Sequence, residues 1–113
     1  MRDYSLYLND ILTNIETAER FIAGISFEEF ISDEKTNYAV VRCLEIIGEA
    51  SKHIPAGLRS KYPDIPWKTI VGTRNAIIHE YVTLDLKEVW KTTKINLPPL
   101  KKQILEILAD LTQ

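Results

Sequence analysis

Apolar residues recur along this chain at helical intervals. From Tyr4 they fall at Leu8, Ile11, Ile15, Ala18 and Ile22, and these steps of four and three hold one helical face for about five turns. Gly24 then offers a stop. Ser26-Phe27-Glu28-Glu29 has the spacing of a capping box and opens a short helical turn through Phe30 and Ile31. Asp33 is placed to cap a third segment. Its buried side is Val40, Leu44, Ile47 and Ile54, flanked by Ala39, Cys43 and Ala50. Pro55 closes that segment, because the residue before a proline resists helical geometry.

Three of the five prolines lie between Pro55 and Pro66, together with Gly57 and Asp64, so this stretch reads as a connector with one turn near Leu58 to Tyr62. Pro66 suits the start of a helix that Trp67, Ile70, Val71, Ile77 and Ile78 continue. Asp85 to Glu88 is a further cap. From there Leu86, Trp90, Thr93, Leu97, Leu100, Ile104, Leu108 and Leu111 keep helical phase to the end of the chain. Pro98-Pro99 falls inside that run. Two missing amide donors are costly in a regular helix, so the surviving phase predicts a proline-kinked helix. No stretch alternates as a strand does. The pattern predicts an all-α fold, an antiparallel four-helix bundle with short extra helical turns.

Composition agrees with one soluble domain over residues 1–113: 45% apolar, 27% charged and a net charge of −2. That balance excludes coating nucleic acid by bulk charge and leaves room for one local phosphate site. The single Cys43 excludes an internal disulfide and a four-cysteine zinc site, and is expected as a small core residue. No apolar run is long enough for a membrane span or a signal peptide, so a cytoplasmic protein is expected. Charge is uneven: residues 1–33 carry seven acids against two arginines, whereas residues 40–81 carry six basic residues against four acids. Solvated faces explain this, or an anion meeting the middle of the chain.

One segment, Gly72 to Tyr81, concentrates chemistry. On a helix turning about 100° per residue, Arg74 and Tyr81 fall nearly on one line, and Asn75 and His79 on another. Arginine grips phosphate through two parallel donors. Histidine takes and gives protons near neutral pH. Asn75 could orient the imidazole or hold a substrate oxygen. These groups suit cleavage of an RNA phosphodiester by the RNA's own 2′-hydroxyl, which needs no metal. Arg74 and His79 are nonetheless about 140° apart on such a helix, so one copy converges poorly. On geometry alone, a capped, salt-bridged surface is the favoured reading over a site. Two protomers paired across this helix would give each cleft two arginines and two histidines. Elsewhere, Glu49 and His53 are half of a possible metal site, or a surface contact. Trp67, Trp90 and the tyrosines could stack on bases, or pack the core.

The pattern Arg74-Asn75-x-x-x-His79-x-Tyr81 resembles the signature of HepT-like toxins, within the HEPN superfamily of helical ribonucleases. The likeness extends along nearly the whole chain. It includes Arg2-Asp3-Tyr4, Tyr7-Leu8-x-Asp10-Ile11-Leu12, Ser26 to Phe30, Asp33 to Thr36, Leu44 to Ala50, Ile65-Pro66-Trp67 and Leu97-Pro98-Pro99-Leu100. Cys43 departs from it, standing where asparagine is more usual.

The resemblance implies a metal-independent endoribonuclease that works as a homodimer, with Arg74 and His79 as the catalytic pair and Asn75 as the polar position after the arginine. It also implies a toxin of a type VII-like toxin–antitoxin system. The partner would be a minimal nucleotidyltransferase antitoxin (MNT), which transfers AMP from ATP onto Tyr81, within a larger hetero-oligomer. ATP and magnesium would belong to the antitoxin, so no cofactor is expected on this chain. The alternative is a non-catalytic HEPN bundle that docks a nucleotidyltransferase and assists its substrate binding. A ligand-free dimerisation bundle is a third possibility.

Overall fold

A computed structural model describes residues 4–73 and 85–112, together with the backbone of 78, 79, 83 and 84. The architecture is all-α. Helix α1 (Ser5–Ile22) buries Leu8, Ile11, Ile15, Ala18 and Ile22, the stripe that the periodicity marks out. It stops where Gly24 takes φ +77°, a left-handed conformation that costs glycine little. Helix α2 (Phe27–Ser32) starts at Ser26, whose hydroxyl accepts from the Glu29 amide at 3.1 Å while Glu29 accepts from the Ser26 amide at 2.9 Å. Two of the amide donors at this helix end, those of Ser26 and Glu29, are thereby satisfied.

Helix α3 (Glu34–Lys52) is capped by the Asp33 carboxylate, which accepts from the Thr36 amide and, at 2.6 Å, from its hydroxyl. Tyr7, near the start of α1, stacks on His53 just beyond the end of α3, with ring centroids 4.7 Å apart. The two helices therefore run antiparallel. Short helices α4 (Ala56–Lys61) and α5 (Trp67–Val71) follow in the proline-rich connector.

The chain then departs from the expected pattern. Ile78–His79 (β1) pairs antiparallel with Thr83–Leu84 (β2), placing His79 opposite Thr83. The helix expected from Pro66 through Ile78 is thus not continuous. Its β-branched and aromatic content, Ile77-Ile78 and Tyr81-Val82-Thr83, suits a pleated backbone better than a helical one.

Helix α6 (Leu86–Lys91), capped by Asp85 on the Glu88 amide, runs into a π-helical turn at Thr92–Asn96 and then into α7 (Leu97–Leu111). The proline doublet gives the reason. Pro98 and Pro99 lack amide donors and crowd the preceding turn, so a regular α ladder cannot pass through them. Widening that turn, so that the Leu97 amide donates to the Thr92 carbonyl five residues back, puts both prolines in the first turn of α7. Amides there need no helical acceptor. The expected irregularity is present as this wider turn, and it shifts the buried face onto Val89, Thr93, Leu97, Leu100, Ile104 and Ile107, leaving Leu111 exposed.

Lys101 of α7 reaches Glu19 at 3.3 Å and Glu16 at 3.7 Å near the end of α1, so α7 also runs antiparallel to α1. The core lies between these long helices. Phe30 and Trp90 close one side of it, their rings 5.1 Å apart.

The cap of α3 makes a testable statement. Bonds from the Thr36 hydroxyl and amide hold the Asp33 carboxyl below its ordinary value. A lowered value in the folded state adds stability above the unfolded-state pKa of about 3.9, and that stability is lost as pH falls through the folded value. Asp33→Asn keeps a capping oxygen and cannot titrate. Its melting temperature should fall less than the parent's between about pH 5 and about pH 2. Equal slopes by circular dichroism would refute this.

Candidate functional site

The Gly72–Tyr81 segment is approached through α5, and α5 is fixed from two directions. Arg59 donates from Nε to the Ile54 carbonyl at 2.9 Å and from Nη2 to the Ser51 carbonyl at 2.6 Å, satisfying oxygens at the end of α3. The same guanidinium lies 5.8 Å from the ring centroid of Trp67, the first residue of α5. Trp67 in turn donates its indole N–H to the Tyr62 carbonyl at 3.2 Å.

The second fixing point is Gly48 on α3. A Cβ added there would sit 3.2 Å from the Ile70 carbonyl oxygen and 3.6 Å from that of Val71. The end of α5 therefore lies directly on the α3 backbone. The sequence analysis gives Gly48 no packing role, and its partner is not legible there, because the pairing joins segments more than twenty residues apart.

Beyond α5, the Thr73 hydroxyl donates to the Thr69 carbonyl at 3.2 Å. Thr73 also lines a cavity of about 370 Å³ between α3, α5, the π turn and α7. The cavity floor is apolar, formed by Leu44, Ile47, Ile70, Leu97 and Leu100, and the half-buried Glu88, Thr92 and Gln103 contribute polar groups. No motif reading singled out this cavity, because its walls come from three separate stretches of sequence.

His79 is in β1, not on a helix, so the helical-line argument that stacks it on Asn75 and sets it about 140° from Arg74 does not hold. The strand also interrupts the helical phase that would align Arg74 with Tyr81. Arg74, Asn75 and Tyr81 themselves lie outside the described residues.

The secondary candidates resolve as packing and surface contacts. Glu49 pairs with Lys52 at 3.4 Å, and His53 stacks on Tyr7. Trp67 is buried, and Trp90 packs against Phe27 and Phe30. Cys43 is buried in α3, and desolvation raises its thiol pKa, which suits an inert core residue. Among the described residues, no three His, Cys, Asp or Glu side chains gather as a metal-binding group, and no helix is long and apolar enough to cross a membrane.

Comparison with known proteins places these features in a family. The family model described as "Ribonuclease HepT-like" matches residues 11–107. A Methanocaldococcus jannaschii protein named "Putative RNase MJ0125" is 43% identical over 112 residues, covering 99% of this chain and 97% of the relative. "Probable ribonuclease HepT" of Thermococcus cleftensis is 46% identical over 100 residues, covering 88% and 91% respectively. A Caldanaerobacter subterraneus protein, "Putative RNase TTE0752", is 44% identical over 102 residues, covering 90% and 91%. No solved structure matches the chain.

The α3–α5 contact predicts a graded mutational response. Gly48→Ala requires a few tenths of an ångström of adjustment, and Gly48→Val must push α5 off α3. The valine variant should lose about 1–3 kcal/mol by chemical denaturation, and the alanine variant less. Parent-like stability for Gly48→Val would show that α5 does not rest on this contact.

Proposed function

Because the chain belongs to the HepT-like ribonuclease family of the HEPN superfamily, we propose that it is a metal-independent endoribonuclease whose catalytic residues are Arg74, Asn75 and His79. The observation that carries this reading is the joint presence of Arg74 and His79, a phosphate-gripping cation and a neutral-pH proton carrier, in a chain matched over 99% of its length by the relative named "Putative RNase MJ0125".

The chemistry follows from the residue types. The RNA 2′-oxygen attacks the adjacent phosphorus and loses its proton to an imidazole. The phosphorus–5′-oxygen bond breaks, and the departing 5′-oxygen takes up a proton from imidazolium. The products are a 2′,3′-cyclic phosphate and a 5′-hydroxyl. Arg74 neutralises charge growing on the phosphoryl oxygens. Asn75 orients the imidazole or holds a substrate oxygen. One histidine cannot be base and acid in the same instant, so a two-fold homodimer that brings two His79 side chains to one cleft suits the reaction.

The reading extends to control as a toxin. A minimal nucleotidyltransferase antitoxin, using its own ATP and magnesium, would transfer AMP to Tyr81. The phenol oxygen attacks the α-phosphorus, pyrophosphate leaves, and an anionic phosphodiester is added two residues from His79. That charge competes with RNA phosphate for Arg74, and the adenosine fills the cleft.

Arg74→Ala and His79→Ala should each lower RNA cleavage by about 10²–10⁴ while keeping the helical circular dichroism of the parent. A folded variant that cleaves at the parent rate overturns the assignment. Tyr81→Phe should keep much of the cleavage and escape silencing after incubation with the partner, ATP and magnesium. Mass spectrometry should show one added AMP on the parent and none on the variant. Full AMP addition to the phenylalanine variant would move the switch elsewhere.

A further inference from the structure

We propose that Lys87, Lys91, Lys94 and Lys102, along the outer side of α6, the π turn and α7, form a track for the phosphate backbone of a single RNA strand. This rests on the ribonuclease reading and adds to it a surface that holds the substrate without reading its sequence.

Residues 86–102 carry five lysines and one acid, Glu88, in a chain whose net charge is −2. Burial and contacts sort these lysines by direction. Val89, Thr93, Leu97 and Leu100 face the core, whereas Glu88, Thr92, Asn96 and Gln103 turn to the cavity. Lys101 is held by Glu16 and Glu19 of α1. The other four lysines are exposed. At about 100° per residue, with the π turn absorbing one extra residue, Lys87, Lys94 and Lys102 project from the flank away from the cavity. Lys91 stands between that flank and the cavity, whose rim it lines. Trp90 marks the same flank: its ring packs on Phe27 and Phe30 of α2, and the Lys94 ammonium lies 5.2 Å from its centroid. From Lys87 to Lys102 the row extends about 20 Å at about 1.5 Å per residue.

The residue type and the linear arrangement select the occupant. Lysine is a point charge on a flexible stem, so it meets a phosphate from many angles and reads no base. A row of such charges along one helical edge suits a polyanion that carries one charge at every nucleotide. The cation–π contact restrains Lys94, which lowers the side-chain entropy lost when it takes a phosphate. A protein partner fits less well, because protein interfaces are depleted in lysine and enriched in arginine, methionine and aromatic residues. Here every exposed cation is a lysine, and Ile95 is the one exposed large apolar side chain between Lys87 and Lys102.

The test is the salt dependence of RNA binding by the full chain, read by fluorescence anisotropy. The probe is a labelled 2′-O-methyl oligouridylate, which lacks the attacking hydroxyl and stays intact. Each phosphate neutralised on a single strand contributes about −0.7 to the slope of log affinity against log salt concentration. Replacing all four lysines by glutamine should make the slope shallower by about 2–3, and each single replacement by about 0.7 or less. Because the four side chains are exposed, every variant should keep the helical circular dichroism of the parent. Lys35→Gln combined with Lys61→Gln, exposed lysines of α3 and α4, should leave the slope unchanged. A parent that does not bind the probe, a slope that the fourfold variant keeps, or a control pair that lowers it as much, overturns the track and leaves the ribonuclease reading standing. The expected loss of slope in a parent that cleaves no RNA sustains the track and overturns the ribonuclease reading. Polyglutamate that displaces the probe, binds as tightly and is lost in the same fourfold variant would assign the row to an acidic protein and overturn the proposal.

Discussion

At Gly48 the α3 backbone meets α5 with room for little more than a hydrogen, and the placement of α5 depends on that contact. A Cβ would stand 3.2 Å from the Ile70 carbonyl oxygen, so the end of α5 lies on the α3 backbone. Arg59 works on the other end of α5, bonding the Ser51 carbonyl of α3 and the Ile54 carbonyl just beyond it with two nitrogens and covering Trp67 with the same guanidinium. A five-residue helix has almost no stability of its own. Held at both ends against a nineteen-residue one, it becomes a platform that leads into Thr73.

The opposite wall depends on the proline doublet. A regular helix from Leu86 to Leu111 would carry Pro98 and Pro99 in its interior at several kcal/mol. The π turn relieves this, and its Thr92 and Asn96 line the cavity that faces Thr73. Turns of this kind recur at functional sites, because widening a helix re-aims side chains without ending it. The two walls thus have local causes, a glycine on one and two prolines on the other.

Much of the fold was legible because its causes are local. The Ser26, Asp33 and Asp85 caps need only a side-chain oxygen and an amide three residues on, and each forms as its spacing requires. The α1 stripe follows from the helical period alone. The candidate site was legible as chemistry and not as geometry. Arg74, His79 and Tyr81 stood out by residue type, but a helical period was assumed for a stretch rich in β-branched residues. His79 is instead in a strand paired with Thr83. Periodicity cannot separate a short buried helix from a short strand. The cavity was not legible, since Leu44, Ile70, Thr92 and Gln103 meet only through tertiary packing.

The central claim is that this chain cuts RNA with its own side chains and the RNA's own hydroxyl. The most direct measurement is cleavage of a panel of RNAs by the purified parent protein, with and without EDTA, followed by analysis of the new ends. The rate should be undiminished in EDTA, and the fragments should end in 2′,3′-cyclic phosphate. Cleavage that stops in EDTA, or that leaves 3′-hydroxyl ends, would contradict that claim.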